Sequence, residues 1–316
     1  MKKLISMLAV LSLLLGVCAC AAAEDKTYNV GIRQLIQHPA LDAATQGFKD
    51  ALTEKLGDKV VFDEGNASGD SNNCAQIAGQ LVSKQVDLIM ANATPAMLAC
   101  ATATADIPVL ATSITNYESA MEIELTAEGA TGFNVSGTSD LAPLDGQADM
   151  IKELFPEAKT VGLLYCNAEP NSIFQIKTIE GFLADLGYEC KRYGFNDSND
   201  LASVVQTATE CDVIYIPTDN TAAGNTEAIA NVVIPAGVPV VAGEEGICAG
   251  CGVATLTISY YDIGYKTGEM AYDILVNGAD IAAMPIAYAP KFTKKYNAVN
   301  AAELGVTIPA EYLPIE

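Results

Sequence analysis

Residues 28–62 read YNVGIRQLIQHPALDAATQGFKDALTEKLGDKVVF, and their periodicities decide the fold. Residues 28–33 have the length and apolar content of a strand. Residues 39–56 carry apolar side chains at Ala40, Leu41, Ala44, Phe48, Ala51, Leu52 and Leu56, one face of a helix. Residues 60–62 then read as a short strand. The alternation continues outward. A helix is expected over 70–84, with Ile77 and Leu81 four apart, and a buried strand over 86–90. Another helix opens at Pro95, since proline suits a first helical turn, and a strand follows over 107–111. Strands separated by helices indicate a parallel sheet covered on both faces.

The rhythm restarts further on. Strands are expected over 161–165, 188–193, 213–216 and 238–241, with helices over 173–186, 201–209 and 221–233 between them. Residues 132–140 show little helical pattern and read as the connection between two α/β halves. An amphipathic helix is expected over 260–276, an extended stretch over 288–299 and a short helix over 300–304. In open parallel sheets ligands bind beyond the carboxyl ends of the strands. Two such sheets facing one another place both sets of loops around a cleft.

The 316 residues carry 39 acidic and 17 basic side chains, a formal charge of -22. That balance opposes attraction to phosphate backbones, so no nucleic-acid partner is expected. It tilts the ligand toward a neutral, zwitterionic or cationic molecule. Tryptophan is absent, which counts against a sugar pocket built on large stacking rings. No Gly-x-Ser-x-Gly, His-Glu-x-x-His or phosphate loop is present. Asp219 and Glu169 as paired carboxylates leave a surface hydrolase as a competing class.

The N-terminus has Lys2 and Lys3, a short apolar run over 4–17, and then Val17-Cys-Ala-Cys20. This reads as a secretion signal, too short for a stable membrane span. It resembles a bacterial lipoprotein signal. Cys20, which follows the small Ala19, is the expected lipidated residue, leaving residues 1–20 as signal and 21–26 as linker. The body is then tethered outside the cytoplasmic membrane. Seven other cysteines remain, and their odd number leaves at least one thiol free. Cys248-Ala-Gly-Cys251 reads as a local disulfide or two free thiols. The lone His38 and the absence of a second Cys-x-x-Cys leave a zinc set incomplete. No metal and no cofactor are expected.

The strand-end loops carry a family resemblance. They are Gln34-Leu-Ile-Gln-His38-Pro39-Ala-Leu-Asp42, Gly65-Asn66-Ala-Ser-Gly-Asp70, Asn92-Ala-Thr94-Pro95, Asn134-Val-Ser-Gly-Thr138-Ser139-Asp140, Tyr165-Cys-Asn-Ala-Glu169-Pro-Asn171-Ser172 and Pro217-Thr-Asp219-Asn220. Together they resemble the substrate-binding lipoproteins of ABC importers, in the branch that includes tryptophan- and tyrosine-binding proteins. The resemblance implies two Rossmann-like lobes of the type I periplasmic-binding-protein fold, joined by three hinge strands near 135–139, 257–260 and 289–295. One lobe would comprise 27–138 plus 259–290, the other 139–258 plus 291–316. Closure would trap an L-amino acid, aromatic side chains favoured, for delivery to a permease and its ATPase, by a monomeric protein. A surface sensor of another small solute, such as a nucleoside or sugar, is the alternative.

An amino acid needs donors for its carboxylate and an acceptor for its ammonium. Thr94 offers a hydroxyl at a helix start, with Asn92 beside it. Asp219 is the expected ammonium partner and Glu169 a second polar contact. Asn171, Ser172 and Asn220 either touch ligand or cap the next helices. Ser139 and Asp140 lie at the first crossing, and Gln34 precedes the first helix. His38-Pro39 reads as positioning its loop. Tyr117, Phe133, Tyr165 and Tyr260 are candidates for an apolar wall.

Overall fold

The computed structural model describes residues 26–315. The signal and the lipidated Cys20 lie outside the described residues. The chain forms two sheets. The first has strands β1 (Tyr28–Gln34), β2 (Val60–Asn66), β3 (Leu88–Asn92), β4 (Val109–Ile114), β5 (Val135–Ser139) and β11 (Ala287–Tyr288), ordered β11-β5-β4-β3-β1-β2 and parallel throughout. The second has β6 (Thr160–Cys166), β7 (Glu189–Phe195), β8 (Val213–Ile216), β9 (Val240–Ala242), β10 (Ala254–Thr257), β12 (Thr293–Tyr296) and β13 (Leu313–Pro314), ordered β13-β12-β10-β9-β8-β6-β7. Here β12 runs antiparallel to β10.

Helices cover both faces of each sheet, because strand side chains alternate and both sides are apolar. On β3, Leu88 and Met90 pack with Phe48 and Leu52 of α1 (Pro39–Leu56) and Met270 of α11 (Tyr260–Leu275). Ile89 and Ala91 face α2 (Ser71–Lys84) and α3 (Thr94–Ala103) through Leu81 and Met97. On β8, Val213 and Tyr215 pack with Ile151 of α5 (Leu144–Leu154) and Ile179 of α6 (Pro170–Asp185). Ile214 and Ile216 face α7 (Ser198–Ala208), α9 (Thr226–Ala236) and α10 (Glu245–Cys251).

The expected elements are present, with differences at their edges. Within the expected connection, residues 135–139 form a strand of the first sheet. The single helix expected over 221–233 is two, α8 (Asn220–Ala223) and α9, interrupted at Gly224 and Asn225. The short α4 (Tyr117–Met121), together with α5, α10 and β10, was not foreseen. The last short helix, α12, runs Ala298–Glu303. The seven cysteines from Cys74 to Cys251 are free thiols, all buried except the half-buried Cys190.

One packing detail positions the site. Helices α1 and α11 run side by side in the same direction, in backbone contact. A Cβ on Gly264 would lie 1.9 Å from the Ala44 carbonyl oxygen, and one on Gly47 would lie 2.1 Å from that of Tyr261. Only glycine permits this approach. It sets the two helix N-termini, with His38 and Tyr260, next to each other.

Candidate functional site

The carboxyl ends of both sheets converge on one buried cavity, as the strand-end rule requires. Its walls are His38, Leu41, Ser113 and Thr115 from the first half, Asp140 and Tyr260 after chain crossings, and Asn171, Thr218, Asp219, Asn220, Ala223 and Glu244 from the second. The space is about 10 Å³, room for about one water. A larger cavity of about 560 Å³ adjoins it, sharing Glu244 and Tyr260. Its walls include Pro39, Ala40, Ala43, Ile258 and Tyr261.

Three carboxyl groups line the central cavity. Asp140 accepts from the Thr115 hydroxyl at 3.2 Å and from the Tyr260 hydroxyl at 2.9 Å. Burial pushes it up to about 6, opposed by those two bonds. Glu244 caps α10, accepting from the backbone N–H groups of Gly246 and Ile247, and burial pushes it up to about 7. Asp219 accepts from the N–H of Cys166 at 2.7 Å, the Ser172 hydroxyl at 2.7 Å and the N–H of Ala222 at 2.8 Å. Burial, and then the nearby Glu169, raise it. No lysine or arginine is among the lining residues. The His38 imidazole is held below its ordinary value by burial. The walls therefore favour a ligand carrying positive charge.

Hydrogen bonds cross from one half to the other. His38 Nε2 lies 3.3 Å from Asn220 Oδ1, and the Thr115 and Thr218 hydroxyls are 3.4 Å apart. Gln175 ties this pair together, donating to Thr218 at 2.6 Å and to Thr115 at 3.4 Å. Three lining atoms are buried without a partner: His38 Nδ1, Ser113 Oγ and Asn171 Oδ1. Ser113 also adopts a left-handed backbone (φ +58°), where the β4–β5 register shifts between Ala111 and Ile114. Unsatisfied groups and a strained non-glycine residue at one place are characteristic of a site built for a ligand.

Of the residues singled out in the sequence, Asp140, Asn171, Asp219, Asn220 and Tyr260 line the cavity, and so does His38, which the sequence suggests only as positioning its loop. Ser172 and Glu169 lie behind them. Ser172 holds Asp219, while Glu169 accepts from Asn171, Asn220 and Thr221. Ser139 bonds the Thr115 carbonyl and Leu141 N–H and supports the crossing. Gln34 and Asn92 are elsewhere. The Gln34 amide donates to the Ile36 carbonyl and Asp42 and accepts from Thr45; Asn92 donates to the Leu41 carbonyl and to Thr45. Gln34 ties the loop before α1 to that helix, and Asn92 braces the helix's first turns. Thr94 opens α3 with its hydroxyl buried and unpaired, outside the cavity wall. Tyr260 is the aromatic candidate that reaches the site. Tyr117 bonds the Ala111 and Thr138 carbonyls, Tyr165 packs against the second core, and Phe133 is 54% exposed. Sequence reasoning missed Ser113, Thr115, Thr218 and Glu244. All but Ser113 follow the end of a parallel strand, and that rule alone could have selected them.

Two mostly parallel sheets meeting at a polar cavity define a two-lobed binding protein, with the type I periplasmic-binding-protein fold. The family model described as "ABC transporter substrate binding protein" matches residues 29–314, and the chain belongs to that family. It is 34% identical over 267 residues to a tyrosine-binding protein of Clostridioides difficile (strain R20291), covering 83% of this chain and 76% of that one. An L-Trp complex of an ABC domain from Streptococcus pneumonia superposes with a TM-score of 0.87 at 31% identity, covering 92% of this chain and 100% of the other. A ligand-free, open substrate-binding protein with adhesive properties from Clostridium difficile gives 0.69 at 32% identity, with 92% and 99% covered.

Proposed function

We propose that this chain captures an aromatic L-amino acid between its lobes and hands it to an ABC permease and ATPase. The observation that carries this is the cavity wall, where three buried carboxyl groups face unpaired polar atoms and no basic side chain. An ammonium matches the carboxylates, and hydroxyls and amides such as Ser113, Thr115 and Asn171 suit the carboxylate end. The adjoining cavity, walled in part by alanines, Ile258 and two tyrosines, offers room for a ring. Kinship with a tyrosine-binding protein and an L-Trp complex supports the same ligand class.

Residues 27–138 plus 259–290 form one moving lobe and 139–258 plus 291–316 the other. They turn about the passages near 135–139, 257–260 and 289–295. The better match to the L-Trp complex than to the open relative, at similar identity, fits a closed arrangement. An amino acid exceeds the central space, so it enters when the lobes part and replaces cross-lobe bonds with its own. The protein binds without catalysis. It works as a monomer outside the cytoplasmic membrane, held by a lipid on Cys20. No helix among the described residues is long and apolar enough to cross a membrane.

Calorimetry with L-tyrosine, L-tryptophan, sugars and nucleosides tests the ligand class. Binding of the two amino acids alone is expected; tight sugar or nucleoside binding without them overturns the proposal. Cys20→Ser should release the protein from the membrane fraction.

A further inference from the structure

His38 stands at the cavity between two kinds of contact. Its Nε2 faces Asn220 Oδ1 across the lobes, and its Nδ1 is buried without a partner. Which nitrogen carries the proton is decided by Glu169. That carboxylate accepts from Asn171 Nδ2, from the N–H and Nδ2 of Asn220, and from the N–H and hydroxyl of Thr221. Every partner is a donor. The Asn220 amide must therefore turn its NH2 toward Glu169, 2.6 Å away, because the opposite orientation would set oxygen against oxygen. This leaves Asn220 Oδ1 facing the imidazole as an acceptor. Nε2 then carries the proton and donates, and Nδ1 is left with a free lone pair.

We propose that His38 is a ligand-contact residue, whose Nδ1 accepts a hydrogen bond from the ammonium of the bound amino acid, with Glu169 and Asn220 as the positioning residues that select this tautomer. The assignment rests on the amino-acid reading above and deepens it. Burial favours the neutral ring, which the role requires, since an imidazolium would repel the ammonium. It also divides the work at the site. Asp140 offers charge to the ammonium, and His38 offers a directed neutral acceptor from the other side of the chain crossing. A neutral, fixed acceptor discriminates in a way a carboxylate does not. It rewards an N–H donor at one position and leaves a buried lone pair unpaired when that donor is missing.

His38 is the chain's only histidine, so one imidazole gives the whole histidine spectrum of tag-free, 15N-labelled protein. In the closed, L-tyrosine-bound protein, where His38 faces Asn220, Nε2 should be the protonated, pyrrole-like nitrogen and Nδ1 the pyridine-like one. At saturation its Nδ1 resonance should lie upfield of an unbonded pyridine-like nitrogen, as accepting a hydrogen bond requires. Two substitutions separate contact from latch. His38→Gln places an amide near the Nε2 position and keeps the link to Asn220 but removes the acceptor, so L-tyrosine affinity should fall tenfold or more. His38→Asn keeps an acceptor near the Nδ1 position and should bind within a few-fold of wild type. Glu169→Gln supplies an NH2 against which Asn220 can turn over, so the imidazole should shift toward the Nδ1-protonated tautomer. Protonated Nδ1 in the L-tyrosine-bound wild type, an Nδ1 signal at the unbonded pyridine-like position at saturation, or His38→Gln binding like wild type overturns the assignment. If wild type binds neither L-tyrosine nor L-tryptophan by calorimetry, the amino-acid reading itself fails. Binding with a silent Nδ1 removes only His38.

Discussion

Tyr260 donates its hydroxyl to Asp140 at 2.9 Å, joining the residue after β5 to the first residue of α11. The bond thus links two of the places where the chain passes between sheets, and it does so inside the cavity. It also opposes the burial that raises the Asp140 carboxyl. Tyr260→Phe removes one bond to a carboxylate, worth about 1.5–3 kcal/mol. Asp140 should then titrate higher still. Affinity for the amino acid at pH 7 should fall by roughly tenfold or more, since about 1.4 kcal/mol is tenfold. Calorimetry at pH 7 and pH 8 should show part of the loss recovered at the higher pH.

Asp140 and Asp219 should separate binding from folding. Asp140 is held by two hydroxyls, which rotate to suit a new partner. Asp140→Asn should keep its melting temperature within a few degrees and lose ten- to a hundredfold in affinity. Asp219 accepts from two backbone N–H groups and Ser172, and it caps α8. Turning an amide NH2 toward any of those donors costs about 1–3 kcal/mol. Asp219→Asn should therefore lower the melting temperature as well as the affinity. Paired thermal melts and titrations distinguish the two.

Stability and binding should respond oppositely to pH. Free carboxyl groups titrate near 4, whereas Asp140 and Glu244 are pushed up to about 6 and about 7. Between those values the folded state holds protons that the unfolded chain has released. Their stabilising effect is complete below about pH 4 and is lost as pH rises through 6 and 7. Asp63, Glu153 and Asp212 are lowered by hydrogen bonds to lysine or to backbone and hydroxyl donors and oppose this below pH 4, and the single His38, held low by burial, opposes it below the free-histidine value of about 6.5. The melting temperature of free protein should be higher at pH 5 than at pH 8. An ammonium-bearing ligand prefers ionised walls, so its affinity should rise from pH 5.5 to pH 8. A melting temperature that climbs steadily to pH 8 would contradict the burial of these groups.

The α1–α11 contact predicts an unusually sensitive glycine. A methyl group at Gly264 would meet the backbone of Ala44, which cannot rotate away. Gly264→Ala should destabilise by about 1–3 kcal/mol or more. It should also weaken ligand binding, because His38 and Tyr260 sit at the starts of the two helices forced apart. Gly79→Ala, in α2 with open space around it, is the control. It should be neutral or stabilising by up to about 1 kcal/mol. Chemical denaturation of both variants checks the contrast.

Much of the fold is legible in local pattern. The helix over Pro39–Leu56 and the strand over Val213–Ile216 match their periodicity end to end, because one face or the whole segment must be apolar to reach the core. Helix α5 was harder to read. Only part of its surface is buried, and Asp145, Gln147 and Asp149 interrupt the apolar sequence. The site was legible where a polar residue follows a strand directly, as at Asp219. It was illegible at Gln34 and at the Asn92 NH2, whose hydrogen bonds go to neighbours that only packing brings near.

By itself, the sequence determined the class of fold, the two-part architecture and the family, since these rest on periodicity and on short motifs that are local in the chain. Tertiary structure alone decided which carboxylates share a cavity. Asp140, Asp219 and Glu244 are separated by long stretches of chain, and their convergence depends on two sheets meeting at their carboxyl ends. The roles within that cavity follow from contacts of the same kind. Asp219 is fastened by backbone donors and Asp140 by movable hydroxyls, and His38 faces Asn220 from 182 positions away. Whether a buried polar group is spent on the fold or left for a ligand depends on its neighbours, and side-chain type does not carry that information.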